Sequence, residues 1–313
     1  MNTITTFLTK YNKALFALLL FLCLFPFITP AVALFLGLAF AWTAGQPFPA
    51  FSKKTSKYLL QFSVVGLGFG MNLYDSLRTG SEGMLFTVVS VVAVLLLGYY
   101  VGKKLMMDRK TAYLISAGTA ICGGSAIAAV APVLKANDNE ISVSMGTIFI
   151  LNAIALFIFP PIGHWIGMTE EQFGLWAAIA IHDTSSVVGA GAAYGEKALE
   201  IATMVKLTRA LWIIPVAFVT TLLFKQKGNK ISIPWFILFF VLAMVANTYL
   251  PIPEAVSKGL VFLAKKGLTL TLFLIGAGLS RSVIKHVGVR PMVQGVILWI
   301  FIGVLSLGVI LLL

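Results

Sequence analysis

The sequence predicts an all-α integral membrane protein with about eleven transmembrane segments, two of which are interrupted. Hydrophobic residues make up 59% of the 313-residue chain and charged residues only 11%, whereas a soluble domain carries about 25% charged residues. Apolar stretches close to the ~20 residues that cross a bilayer follow one another along the whole chain. The stretches between them are too short for a soluble domain. One polytopic transmembrane domain is therefore predicted for 1–313.

Turn residues and apolar runs set the boundaries of these segments. Clusters such as Gly-Gln-Pro-Phe-Pro at 45–49 are typical of turns. The first apolar run is interpreted as a retained helix, because it lacks a small-residue cleavage site and Pro30 starts another run at once. The predicted segments are 14–27, 30–46, 57–74, 83–102, 111–135, 141–163, 172–195, 199–224, 232–250, 267–284 and 290–312.

The basic residues lie mostly in short loops, which bears on orientation and on partners. The chain has 23 Lys and Arg against 11 Asp and Glu, a net charge of +12. In a membrane protein such residues mark the cytoplasmic side, so no nucleic-acid partner is expected. A cytoplasmic N-terminus places 15 of them inside and 6 outside. This predicts a multi-pass protein of the inner membrane, with the C-terminus outside. Loop 164–171 fits least, because it falls inside with Glu170 and no Lys or Arg.

A Gly-rich pattern occurs twice and predicts inverted repeats. The stretch Gly68–Gly80 recurs as Gly276–Gly288, and each copy precedes a long apolar segment. The predicted directions of the two copies through the membrane are opposite, which is typical of secondary transporters. The repeats are predicted to cover about 30–163 and 172–312, with 14–27 as an extra N-terminal helix.

Two other stretches predict interrupted helices. Residues 119–129 and 179–189 each have a Gly-rich or polar centre between apolar arms of about ten residues, and ten helical residues span only about 15 Å. The pair Gly123-Gly124 is costly inside a helix. We expect 111–135 and 172–195 to break there and the breaks to meet near the membrane midplane. Free N–H groups at such breaks favour an anion, and free carbonyls favour a cation. Whether 172–195 crosses the membrane or re-enters is left open.

Polar residues near the second break are candidates for ion coupling. Histidine titrates at about pH 6.5, and a neighbouring carboxylate changes that value, so His182 and Asp183 predict a proton or cation relay. The alternative is a hydrogen-bonded pair that only braces the break. Asn152 is a further coupling candidate, or a helix-to-helix hydrogen bond. The hydroxyls that either bind substrate or cap the second half-helix are those of Thr184, Ser185 and Ser186.

Two cations within an apolar segment are candidates for anion binding. Lys206 and Arg209 lie three residues apart and therefore on one helix face. An ionisable group at membrane depth costs about 2.5–3.5 kcal/mol on insertion scales, so such groups usually have a function. The arginine fork suits an oxyanion. Pairing with Asp183, or reaching towards the interface, is the alternative. The predicted substrate site adds Gly123, Gly124 and Ser125, together with the hydroxyls named above.

These residues lie within a resemblance to a known family. The stretches AGTAICGGSAIAAVAPVLKA, AIHDTSSVVGAGAA and VKLTRALWIIP resemble the bacterial sulfate exporter family, and the resemblance covers nearly the whole chain. That family is grouped with bile-acid/sodium symporters and sodium/proton antiporters, which implies inverted repeats with crossed, broken helices. The family pattern has His-Glu followed by Val-Ala-Gln where this chain has His-Asp-Thr-Ser-Ser at 182–186. A shorter acid and two hydroxyls in place of an amide would change the substrate.

The resulting expectation is a secondary transporter that exports a small anion, sulfate or a small organic sulfonate, by alternating access with proton coupling. The alternative is a sodium-coupled uptake symporter for an organic anion. An enzyme is not expected, because the only nucleophile–base candidate is His182 with Ser185 and no oxyanion motif accompanies it. A channel filter is not evident either. Cys23 and Cys122 form no CxxC motif, so no metal or cofactor is expected. The expected partners are an anion, a proton or sodium, and the bilayer; a homodimer is left open.

Overall fold

The structure, a computed structural model, describes residues 11–25, 27–74, 84–224, 235–278 and 287–312. Within these ranges every regular element is an α-helix, as predicted. The first seven helices are α1 (Asn12–Leu22), α2 (Pro30–Thr43), α3 (Pro49–Gly68), α4 (Met84–Lys104), α5 (Arg109–Ala120), α6 (Gly124–Leu134) and α7 (Asp138–Ile166). They are followed by α8 (Glu170–Ala180), α9 (Thr184–Tyr194), α10 (Glu196–Ala210), α11 (Ile213–Leu223), α12 (Trp235–Tyr249), α13 (Glu254–Gly278) and α14 (Val289–Leu312).

Several of these helices suit a bilayer in length and composition. In the part of the chain described, five stretches are long and apolar enough to cross it: Phe86–Lys104, Asp138–Ile166, Glu196–Thr220, Glu254–Gly278 and Val289–Leu312. Large apolar side chains also cover the outer surface; Leu96 and Val304, for example, are exposed. Apolar surface this extensive is not compatible with water but is what lipid requires.

The helices form two groups. The panel group contains α2, α3, α12 and α13, with α13 packed along both α2 and α3. Helix α1 joins it through Phe16, whose ring lies 5.5 Å from that of Phe273. The core group contains α4 to α11 and α14. The main contacts between the groups run from α9 to α13 and α2.

Glycines allow close packing at equivalent places in the panel group. A Cβ on Gly68 of α3 would lie 2.8 Å from the Phe240 carbonyl oxygen of α12. Gly276 of α13 likewise faces the Leu34 carbonyl of α2. The later parts of the two predicted repeat stretches, 75–80 and 279–286, lie outside the described residues.

Capping residues supplied by the sequence determine where the central helices begin. The Asp108 carboxylate accepts a hydrogen bond from Thr111 N at 2.9 Å and starts α5. Asn137 and Glu140 form a reciprocal capping box at the start of α7. Thr169 and Gln172 form another at the start of α8. These caps satisfy first-turn N–H groups that a helix cannot satisfy itself.

Helices α5 and α6 fold back on each other as the first hairpin. Lys110 Nζ, at the start of α5, donates to the Lys135 carbonyl, at the end of α6, over 3.0 Å and 25 residues of sequence. A straight helix would separate these residues by about 37 Å. The turn lies at 121–123, where Gly123 has φ +66° and ψ −126°, a conformation that essentially only glycine adopts. The predicted interruption of 111–135 is confirmed, and the segment folds back on itself as a hairpin.

Helices α8 and α9 form the second hairpin in the same way. The rings of Phe173, near the start of α8, and Tyr194, at the end of α9, stack with centroids 3.8 Å apart. The Glu170 carboxylate accepts a hydrogen bond from Lys197 N at 2.8 Å, just beyond α9. The chain turns at 181–183. The segment 172–195 therefore folds back on itself and brings its two ends together. The sequence predicted about eleven segments, two of them interrupted as broken or re-entrant helices; in the structure both interrupted segments are hairpins whose two ends lie together.

The two hairpins enter the core from opposite ends. Helix α7 has 29 residues; near its start Ser144 Oγ lies 3.4 Å from the Thr111 carbonyl at the base of the first hairpin. Near its end, Gly163 faces Phe173 at the base of the second. The α10–α11 pair runs the other way and ends where Thr220 Oγ1 lies 2.7 Å from Tyr113 Oη of the first hairpin. The hairpin tips therefore point at each other.

Candidate functional site

The tips of the two hairpins meet in the middle of the core, as the sequence predicted for the breaks. A Cβ on Gly123 would lie 3.2 Å from the Asp183 Cα and 3.3 Å from its N. Both His182 and Gly123 are buried. The close approach depends on the absence of a side chain at Gly123. The tips create one shared environment, formed by two turns that enter from opposite sides.

Asn152 holds the second tip in place. Its Oδ1 accepts hydrogen bonds from the backbone N–H groups of His182 at 3.0 Å and Asp183 at 3.2 Å. These two donors are freed by the break after α8 and need a partner because they are buried. Asn152 lies near the midpoint of α7, so its position fixes the depth of the tip. Its Nδ2 has no hydrogen-bond partner.

Lys206 and Arg209 each close the end of one half-helix. Lys206 Nζ donates to the carbonyls of Ile181 at 2.8 Å and Ala178 at 3.3 Å, at the end of α8. Arg209 Nη2 donates to the Ala120 carbonyl at 2.7 Å, at the end of α5. The negative end of a helix dipole stabilises a cation at such a place.

Neither of the alternatives for these cations holds. Both side chains are 0% exposed, so neither reaches towards an interface. Asp183 forms no ion pair with Lys206 or Arg209. Arg209 Nη1 instead donates to Ser90 Oγ on α4 at 3.1 Å. Ser90 was not predicted as part of the site, because a lone serine in an apolar segment carries no distinguishing sequence signal.

The three hydroxyls after the second break are buried, and the capping is done by Asp183. Its carboxylate accepts from Ser185 N at 3.1 Å and from the Ser185 hydroxyl. Thr184 and Ser186 lie beside this cap and are also buried. The sequence left two roles open for these hydroxyls, substrate ligand or helix cap. The Ser185 hydroxyl is not the cap itself, because it donates its hydrogen bond to the carboxylate that caps α9.

Several buried polar atoms around the tips lack a partner. They are both ring nitrogens of His182, Nε of Arg209, Nδ2 of Asn152 and the hydroxyl of Thr119. Each buried polar group without a partner costs about 1–3 kcal/mol. Two cations and one carboxylate also leave an excess positive charge in a buried place. Water or a bound ion would supply partners for such a group.

The first hairpin tip is more open than the second. Ser125 and Ala128 on α6 are exposed, whereas Ser185 and Val188, at the corresponding positions of α9, are buried. Helix α6 begins without a side-chain cap, so its first-turn N–H groups at Gly124 and Ser125 receive no side-chain acceptor. Protein therefore covers α6 less completely than α9 near the tips.

A separate cleft of about 850 Å³ lies at the second-hairpin end, between α3, α10, α12 and α13. Its lining includes Glu196, Lys258 and Lys265, and it reaches Thr203, one turn from Lys206. None of the predicted site residues lines it. An apolar cluster that shares Leu67 and Leu199 with the lining lies beside the cleft; its members are Leu67, Val188, Leu199, Ala264 and Leu268. The sequence could not indicate these residues, because one apolar side chain among many carries no functional signal.

Metal-binding side chains do not gather at the site. Over the residues that the structure describes, no group of three or more His, Cys, Asp or Glu side chains could hold a metal ion. Cys23 and Cys122 are free and buried.

These features define an α-helical membrane protein whose core is built on two helical hairpins. The chain belongs to the family described as "Conserved hypothetical protein 698", whose model matches residues 8–295. It is 66% identical over 286 residues to a UPF0324 membrane protein of Bacteroides thetaiotaomicron, covering 90% of this chain and 86% of that one. It is 59% identical over 290 residues to one of Porphyromonas gingivalis, covering 91% and 88%.

A more distant relative is the UPF0324 membrane protein PBPRB0970 of Photobacterium profundum, 48% identical over 301 residues and covering 96% and 92% of the two chains. No solved structure matches this chain. The relatives' names say membrane protein and give no substrate. The family relationship and the apolar helices therefore establish a membrane-embedded protein, while the resemblance to sulfate exporters and bile-acid symporters stays a prediction.

Proposed function

We propose that this protein is a secondary transporter that carries a small anion by alternating access and binds it between the two hairpin tips. The observation that carries the proposal is the excess of buried positive charge at the tips. Lys206 and Arg209 are opposed there by Asp183 alone among the charged groups at the tips, and unpaired donors lie beside them. Such groups at membrane depth are expensive, which favours a functional role.

The donors at the tips suit an oxyanion. Arg209 Nε and Asn152 Nδ2 are buried N–H donors without acceptors. The N-terminal end of α6 adds free amides and a positive helix dipole. Sulfate or a small organic sulfonate offers several acceptor oxygens to such a group. Export as the direction of transport follows from the family resemblance alone.

Two packing asymmetries support alternating access. Helix α9 is packed against α13 and α2 of the panel group, while the corresponding face of α6 is exposed at Ser125 and Ala128. We propose that a path to the tips along α6 is open in this arrangement and that one along α9 is closed. Rocking of the core group against the panel group would close the side along α6 and open the side along α9.

The architecture also supports inverted repeats in a modified order. We propose that α2, α3, α4, the first hairpin and α7 correspond to α12, α13, α14, the second hairpin and α10–α11. The paired glycine contacts at Gly68 and Gly276 agree with this correspondence. The repeats then cover the predicted 30–163 and 172–312. Two interrupted segments that crossed the membrane in the same direction would not form an inverted pair, whereas hairpins that enter from opposite sides do.

We propose the predicted orientation, with the N-terminus cytoplasmic and the C-terminus outside. Re-entrant hairpins move Lys135 to the inner side and loop 164–171, with its acidic Glu170, to the outer side. Both changes strengthen the excess of basic residues inside. The inner membrane remains the expected location.

Proton coupling through His182 and Asp183 is part of the proposal for sulfate, because this dianion exceeds the net positive charge at the tips by one unit. With sulfate bound, protonation of His182 or Asp183 would supply the missing charge. The charges of Lys206 and Arg209 on α10 act on the His182 ring, and the charge of Lys206 acts on the Asp183 carboxyl. A pH gradient, and not a sodium gradient, is then the expected driving force.

We propose transport and not catalysis. Ser185 donates its hydroxyl hydrogen bond to Asp183, and neither ring nitrogen of His182 contacts a hydroxyl. The pair therefore lacks the hydrogen bond on which nucleophile activation depends. The proposed partners are the anion, the proton and the bilayer, without a cofactor or nucleic acid.

Flux into proteoliposomes tests the proposal, with labelled sulfate and methanesulfonate as probes and an imposed pH gradient as the driving force. Arg209→Gln removes a charge-assisted hydrogen bond worth about 1.5–3 kcal/mol, so a decrease of about tenfold or more is expected. Arg290→Gln, on the exposed start of α14, is the matched control and should leave flux unchanged. Flux of Arg209→Gln at the wild-type rate would contradict the assigned site.

A further inference from the structure

The proposed function leaves the coupling ion to be argued, and the oxygen atoms at the hairpin tips bear on it. Broken helices in transporters commonly bind sodium through carbonyls at the ends of the half-helices. The corresponding carbonyls in this chain are those of Ala120 on the first hairpin and of Ala178 and Ile181 on the second. All three accept hydrogen bonds from Lys206 or Arg209.

Two side-chain oxygens of the second tip's surroundings are engaged as well, whereas the Thr119 hydroxyl has no partner. Asn152 Oδ1 accepts from two backbone amides of the second tip. Asp183 Oδ2 accepts from the backbone and hydroxyl of Ser185. A sodium ion would have to displace these donors to collect the five or six oxygens that hard cations prefer. The atoms left without partners are mainly nitrogens.

The placement of the two cations on one helix explains how a positive charge reaches the helix-end carbonyls of both hairpins. Lys206 and Arg209 share a face of α10 at a spacing of three residues. The lysine contacts the second hairpin and the arginine the first. Each positive charge therefore lies at the negative end of a half-helix dipole, where a mobile cation would otherwise be stabilised.

We infer that Lys206 and Arg209 act as tethered replacements for a coupling cation, so that this carrier binds its anion without sodium. This inference rests on the proposed function. The covalently attached charges are present in every state of the protein. Sodium concentration then affects neither the stability of the core nor the affinity for the anion. Removal of one tethered charge would leave vacant carbonyls that a free cation can occupy.

Thermal unfolding of the purified full-length protein tests the inference. The probe is sodium chloride exchanged for choline chloride at constant ionic strength. The melting temperature of the wild type should be the same in both salts. Lys206→Met removes the charge and keeps an apolar side chain of similar length. This variant should melt lower in choline and recover by several degrees in sodium, because a ligand stabilises the state that it binds.

Two further variants keep the result interpretable. Lys206→Arg preserves the charge and should remain insensitive to sodium. Lys197→Met lies on the same helix, but its ammonium group is exposed and pairs with Glu200, so it should not respond to sodium either. If Lys206→Met folds only when sodium is present throughout purification, that outcome also supports the inference.

Sodium-dependent stability or anion binding of the wild type would overturn the inference, and so would a Lys206→Met protein that responds to neither sodium nor lithium. The melting experiment contains no transport step. A wild type that moves no anion would therefore remove the proposed function while leaving the sodium result readable. A wild type that transports sulfate only with sodium would overturn the inference and keep the transporter.

Discussion

Lys206 and Arg209 lie three residues apart on α10, yet their charged groups bind different hairpins. The lysine reaches the carbonyl of Ile181 at 2.8 Å and the arginine that of Ala120 at 2.7 Å. One helix face thus connects two turns that enter the core from opposite ends. The arrangement concentrates positive charge at the carbonyls that the ends of the half-helices leave without helical partners. The proposed function is based on this arrangement.

Substitution of Gly123 by alanine should destabilise the protein by about 1–3 kcal/mol, because a side chain is strained at φ +66° and its Cβ would approach Asp183 Cα to 3.2 Å. Thermal or chemical unfolding in detergent measures the change. Gly259→Ala is the control, because α13 leaves open space around Gly259. That change should be neutral or slightly stabilising. Equal stabilities of the two variants would contradict the tip-to-tip contact.

Asn152→Leu should be more disruptive than Asn152→Asp. Leucine leaves the buried N–H groups of His182 and Asp183 without an acceptor, at a cost of about 1–3 kcal/mol each. Aspartate keeps the acceptor but adds a negative charge at the anion site. Its melting temperature should stay closer to the wild type while sulfate flux falls. A leucine variant as stable as the wild type would show that the second tip does not need this bond.

Thiol labelling tests the re-entrant hairpins. In a background with Cys23 and Cys122 replaced by alanine, cysteines placed at Lys135 and Trp165 should react with an impermeant maleimide from opposite sides of the membrane. Trp165, at the other end of α7, is 86% exposed. If 111–135 crossed the membrane, both cysteines would occupy the opposite sides to those proposed. The sidedness of labelling in oriented vesicles therefore distinguishes the two folds.

The ion pair between Glu196 on α10 and Lys265 on α13 joins the core and panel groups beside the outer cleft, with an Nζ–Oε1 distance of 2.7 Å. Its carboxylate is 91% exposed, so the pair is worth only about 0.2–1 kcal/mol. Glu196→Gln should shift the population towards an opened cleft by about 1.4- to 5-fold. A cysteine at Thr203 would report this as faster modification. Lys258→Gln, whose partner Glu254 is on its own helix, is the control.

The sequence indicated the polar centre well, because its signal is local. Gly123-Gly124 is unfavourable in any helix interior, and Lys206 and Arg209 are expensive in any apolar segment, wherever the rest of the chain lies. Asn152 was also found this way. Ser90 and Thr119 were missed, since hydroxyls occur widely in membrane helices and only their neighbours give them a role.

The folding-back of the interrupted segments was harder to predict. A broken helix that crosses the membrane and a hairpin that re-enters have the same composition, the same arm lengths and the same central glycines. What separates them is the contact between the two arms, seen in Phe173 with Tyr194 and in Lys110 with Lys135. Charge distribution gave a hint, because loop 164–171 contained acidic residues on the side predicted to be basic.

The sequence by itself determined that this is a helical membrane protein with two breaks and with buried cations. An apolar side chain, a glycine in a helix or a charge in lipid each changes the free energy by an amount that depends mainly on the residue itself. Only the tertiary structure decided that both broken segments are hairpins, that Asn152 holds one tip, and that each cation serves a different half-helix. Those outcomes depend on which carbonyls and amides lie within about 3 Å of one another. Such distances are set by packing between segments that are far apart in the chain.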